Sequence, residues 1–164
     1  MARKSAILIP VIIAAVAIGG LGIAFIPPEV RAPDRTEFSK GTVRIDDSVI
    51  TVEIADSTAE RQRWLTFRQD RLDSDSALLL KYNTPDLYEV WMLNIEYNLD
   101  LIWFDKDGNV VYMIKDAPPC QNVVETVSCT YKTTSKSLYV MAATAGFIDA
   151  HNIAKGSKMT IISI

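Results

Sequence analysis

Hydrophobic patterning divides the chain near residue 35. Ala6 to Ile26, AILIPVIIAAVAIGGLGIAFI, is 21 residues without a charge. It has no polar face, unlike a helix packed on a soluble core. As a helix it would reach roughly 30 Å, the thickness of a bilayer's hydrocarbon core. Pro10 sits one turn in, where a membrane helix tolerates it. Arg3 and Lys4 precede the run, and the flank after it is of mixed charge. Basic residues favour the cytoplasmic side, so the remainder is expected outside the cytoplasm. The pattern predicts one N-terminal transmembrane signal anchor over residues 1–26 and a stiff, proline-containing tether over 27–35. A folded extracytoplasmic domain follows over 36–164. The alternative is a signal peptide cut near Gly22 and Ala24, although Pro27 and Pro28 crowd that site.

Beyond the tether the period falls to two. FSKGTVRI and VITVEIA read as a hairpin around Asp46 and Asp47, with Ile50, Val52 and Ile54 on the core face. Ser57 followed by Glu60 is a capping box and predicts a short helix to about Phe67. SALLLKY reads as a buried strand, NTPD as a turn and LYEVWML as a strand. In LDLIWF, Leu99, Leu101 and Trp103 face one way, and Asp100, Ile102 and Phe104 the other. DKDGN is a hairpin turn returning into VVYMIK. After a long loop come SLYVMAA, a short helix in TAGFIDAHN, and a last strand, KMTIISI. The expected fold is α+β: a mainly antiparallel, β-barrel-like or sandwich domain of about eight strands with two short helices.

Charge narrows the partners. Without Arg3 and Lys4 the chain carries 15 basic and 20 acidic residues, a net charge of −5. No basic stripe is present, so nucleic acid is not an expected partner. The two cysteines, Cys120 and Cys129, fall in the exported part, where a mutual disulfide is their expected fate. A Cys metal site is the rival, but no histidine lies near.

Four stretches carry a likeness: VEIADSTAERQRWLTFR, YEVWMLNIEYNLDLIWFDKDGNVV, DAPPC and TAGFIDAHNIAKGSKMTI. In this order they resemble the DUF192 (UPF0127) family of small prokaryotic domains, over about Val52 to Ile161. The resemblance implies a compact, β-barrel-like α+β fold and no particular reaction. Where the family usually reads Gly-Leu-Met, this chain has Trp64-Leu65-Thr66. Its Trp-Met-Lys-Asn-Thr is here Trp91-Met92-Leu93-Asn94-Ile95, without the lysine.

The candidate ligand-binding residues are Arg61, Arg68, Trp91, Asn94 and Asp100. Arginine offers a planar donor fork and asparagine mixed donors and an acceptor. The structural alternative is that Asp100 pairs with Arg61 or Arg68 and that Asn94 ties a connecting segment through backbone bonds. No metal and no cofactor is expected. Asp105-Lys106-Asp107-Gly108-Asn109 lacks the acidic positions of a calcium loop. Met92, Met113, Met141 and His151 would suit copper only if they converged. No nucleophile elbow, phosphate loop or HExxH is present. The reading therefore leans away from catalysis. The expectation is a single-pass, membrane-tethered binding or accessory domain, serving a small polar ligand or a membrane protein complex. An enzyme acting through Asp100 with Arg68, and an extracytoplasmic copper carrier, are the alternatives.

Overall fold

The structure, a computed structural model, describes residues 37–120 and 129–164. The anchor and tether expected over 1–35 lie outside them. Nine strands and two short helices follow in the order β1 (Ser39–Ile45), β2 (Ser48–Ala55), α1 (Thr58–Arg63), β3 (Ser76–Asp86), β4 (Glu89–Trp91), β5 (Leu99–Phe104), β6 (Val110–Ala117), β7 (Thr130–Lys132), β8 (Ser137–Thr144), α2 (Phe147–Ala150) and β9 (Met159–Ser163).

Seven strands form one sheet in the order β6-β5-β8-β3-β2-β1-β9, and β4 pairs with β7 in a second, two-stranded sheet. All pairings are antiparallel except β2 with β3. A parallel pair needs a crossover, and residues 56–75, with α1, supply it.

The period-two reading of β5 is borne out on both faces. Leu99, Leu101 and Trp103 join one core layer with Leu78, Leu80, Met92 and Val140. Ile102 and Phe104 join the other with Ile50, Val52, Met141, Phe147 and Ile148. The central strands are thus buried on both sides, which explains the unbroken apolar run in β3.

The expected α+β class, mostly strand with two short helices, is borne out, but the sheet does not close into a barrel. At one end the sheet curls until the β5–β6 turn reaches the start of β9: the Val110 N–H donates to Ser157 O at 3.0 Å and the Met159 N–H to Gly108 O at 2.8 Å. The remaining length of β6 and β9 is not paired, so the sheet stays open. Gly108 makes the approach possible. Its φ is +84°, and a Cβ there would lie 2.1 Å from Met159 O. The expected turn at NTPD is absorbed into β3, whose register shifts between Lys81 and Asp86.

Candidate functional site

The crossover and the turn after β4 enclose a surface cleft of about 470 Å³, within the usual range of small-molecule sites, ~300–1,000 Å³. One wall runs from Arg61 to Phe67, the other from Glu89 to Asn94, and β3 adds Leu80 and Tyr82.

Local chemistry shapes the first wall. The Ser57 hydroxyl accepts the Glu60 N–H at 3.2 Å and the Glu60 carboxylate accepts the Ser57 N–H at 2.9 Å, which starts α1. Donation from the Ser57 N–H and, at 2.8 Å, from the Ser57 hydroxyl holds the Glu60 carboxyl below the usual range. The helix ends at Arg63, short of Phe67, because Trp64 turns to φ 27°. Phe67 (φ 57°) and, on the facing wall, Asn94 (φ 58°) are also left-handed. The Phe67 N–H donates to Asn94 O at 2.7 Å and ties the walls together. Among the described residues the other non-glycine positions with positive φ are Asp46, Asp116 and Asn152, short Asx side chains that tolerate it. Trp and Phe do not, and backbone strain of this kind gathers at binding sites.

The second wall rests on the disulfide. Cys120 and Cys129 are bonded, with Cα atoms 5.7 Å apart. Between them they clamp Met92: its N–H donates to Cys129 O at 3.2 Å and its carbonyl accepts the Cys120 N–H at 3.0 Å. Trp91, next in the chain, pairs with Thr130 of β7.

Among the described residues Arg61 and Glu89 are the charged ones lining the cleft. The Arg61 guanidinium donates to Asp56 O and, at 2.8 Å, to Lys81 O, and it lies 5.0 Å from the centre of the Tyr82 ring. Burial pushes the Tyr82 phenol above its ordinary value, which keeps it a neutral hydroxyl. Phe67 and Trp91 stand out on the rim, 66% and 44% exposed. Among the described residues the side chains of Gln62, Glu89, Trp91 and Asn94 have no hydrogen-bond partner.

Of the five residues anticipated, Arg61, Trp91 and Asn94 meet in this cleft, while Arg68 and Asp100 do not line it. Arg68 forms a two-pronged pair with Glu53 at 2.6 and 3.0 Å, which holds its guanidinium charged. Asp100 is 1% exposed. Its carboxylate accepts the backbone N–H groups of Asp116 (2.8 Å), Gly146 (3.1 Å) and Ile148 (2.8 Å). It pairs with neither arginine, so Asp100 and Arg68 form no shared site. His151 places Nε2 3.0 Å from Ser74 O and packs its ring on Phe147. Met92 lies in one core layer, and Met113 and Met141 belong to the other. Those two oppose Ile102 from either side of β5, so their backbones are roughly 10 Å apart. Met92, in the opposite layer, therefore stands apart from Met113 and Met141. Among the described residues no cluster of three or more His, Cys, Asp or Glu could hold a metal.

Gln62, Phe67, Tyr82 and Glu89 were not legible as site residues. One signal was present: Trp64 stands where the family resemblance places glycine, and a left-handed position is where glycine is ordinarily needed. Leu93 and Thr66, two further departures from the family pattern, also line the cleft.

No curated protein matches the chain. A crystal structure from Sinorhizobium meliloti 1021, provisionally named a transcription regulator, superposes with TM-score 0.70 at 20% identity, covering 78% of this chain and 98% of its own. A protein of unknown function from Novosphingobium aromaticivorans DSM 12444 superposes with TM-score 0.66 at 23% identity, covering 75% and 86%. At these identities the likeness is one of fold. The family described as DUF192, Uncharacterized ACR, matches residues 41–161, and the chain belongs to it.

Proposed function

We propose that this protein is a membrane-tethered, extracytoplasmic binding module whose cleft between α1 and β4 holds a small polar ligand, without catalysis. The observation that carries the binding role is the concentration of left-handed Trp64, Phe67 and Asn94 around one open cleft with unpartnered polar groups on its rim. The tethering rests on the uncharged run Ala6 to Ile26 and the basic pair before it. The Cys120–Cys129 disulfide suits an oxidising compartment. No helix among the described residues is long and apolar enough to cross a membrane, so the tether would be the segment preceding them. Held near a membrane surface, the module could also serve as accessory to a membrane protein complex.

Native mass spectrometry of the full chain, extracted in mild detergent from its own membranes, tests this. The expected spectrum carries an oxidised disulfide, the N-terminal segment and a non-covalent adduct that Trp91→Ala removes. A membrane-extracted chain with no adduct would overturn the binding role. Recovery from the soluble fraction with both thiols free would overturn the tethering and the localisation.

A further inference from the structure

We infer that the ligand of the cleft is a neutral saccharide. The inference rests on the binding role proposed above and adds the ligand's chemical class.

Charge comes first. Among the described residues one cation and one anion line the cleft, Arg61 and Glu89, so these side chains bring no net charge to attract an ion. Arg61 is already committed to the carbonyls of Asp56 and Lys81 and to the Tyr82 face. It offers no free two-pronged fork to a phosphate or carboxylate.

The unpartnered groups point the same way. Glu89 can only accept, the Trp91 indole N–H can only donate, and the amides of Gln62 and Asn94 do both. An anion would satisfy only the donors and a cation only the acceptors. A hydroxyl donates and accepts at once, so a ligand with several hydroxyls satisfies the whole rim. The apolar part of the site is aromatic: Phe67 and Trp91 are the rim's large exposed apolar side chains. A pyranose ring presents a face of C–H bonds, and such a face stacks on an aromatic ring whose π cloud is electron-rich. Apolar rings bordered by mixed donors and acceptors thus match both sides of a sugar.

The test uses the full chain in a detergent without a sugar headgroup, since a maltoside would itself compete. Tryptophan fluorescence is titrated with cellotriose, chitotriose and maltotriose, and with choline and inorganic phosphate, alongside a glycan array. The expected result is saturable binding of at least one neutral oligosaccharide. Trp91→Ala should weaken it by about tenfold, and Trp91→Phe should retain most of it. Gln62→Ala, an exposed change on α1, serves as a second variant should Trp91→Ala fail to fold. Absence of neutral glycan binding, or binding indifferent to these variants, overturns the inference. Trp91-dependent binding of choline or phosphate alone overturns the saccharide while leaving the cleft as a binding site. Absence of both probe binding and the native adduct overturns both.

Discussion

Trp64 sets two energies against each other. Its sparsely populated backbone conformation (φ 27°, ψ −114°) costs ~1–3 kcal/mol, while its indole, 8% exposed, packs in the core layer beside Leu65 and Met92. Removing a buried tryptophan side chain costs ~3–5 kcal/mol. Packing wins, so Trp64→Gly should relieve the backbone and still lose about 2–3 kcal/mol of stability, read as a lower urea midpoint. Asp100 is a simpler case. Asp100→Ala would leave three backbone N–H groups without their acceptor, each worth ~1–3 kcal/mol when buried, so a loss of about 3 kcal/mol or more is expected. Arg68→Ala breaks a pair whose side chains are 29% and 21% exposed, and solvent screening limits that loss to about 1 kcal/mol. If denaturant titration found the reverse order, the structural role given to Asp100 would be wrong.

Among the elements, the cleft's two walls have different supports, and each predicts its own sensitivity. The wall from β4 to Asn94 leans on the disulfide. Closing a loop of ten residues stabilises by about 2.5–3 kcal/mol, so reduction should lower the midpoint accordingly and weaken ligand binding with it. Cys120→Ser should reproduce both effects without reductant. The wall from α1 depends on the capping box. Because the Glu60 carboxyl titrates below its unfolded range, its contribution is complete at neutral pH. It fades as the pH falls below about 4. Glu60→Gln should flatten that part of the acid limb in a thermal denaturation series. Those local devices were readable: the capping box spans four residues, Ser57 to Glu60, and the alternation in β2 and β5 needs only the chain itself. What escaped depends on distant segments. The parallel pairing of β2 with β3 joins strands some twenty residues apart in sequence, and nothing in either strand specifies its neighbour. The donors to Asp100 lie 16 to 48 residues beyond it, so the sequence suggested an arginine partner where the fold supplies backbone.

For the whole molecule, curvature is set at one junction. Gly108→Ala would drive a Cβ into Met159 O and should cost at least about 2 kcal/mol, with β9 losing protection first. The junction supports the sheet and not the walls, since neither Gly108 nor Met159 lines the cleft. A folded Gly108→Ala protein should therefore bind with unchanged affinity, separating overall stability from recognition in one variant. At the same scale, deletion of residues 1–26 should move the protein from the membrane fraction to the soluble fraction, as a carbonate wash would reveal. One small link gives the occupied molecule a signature. The walls meet at the bond from the Phe67 amide to the Asn94 carbonyl, whose opening a bridging ligand would hinder. Deuterium uptake at that single amide should slow when the site fills and thereby count filled molecules without any label on the guest.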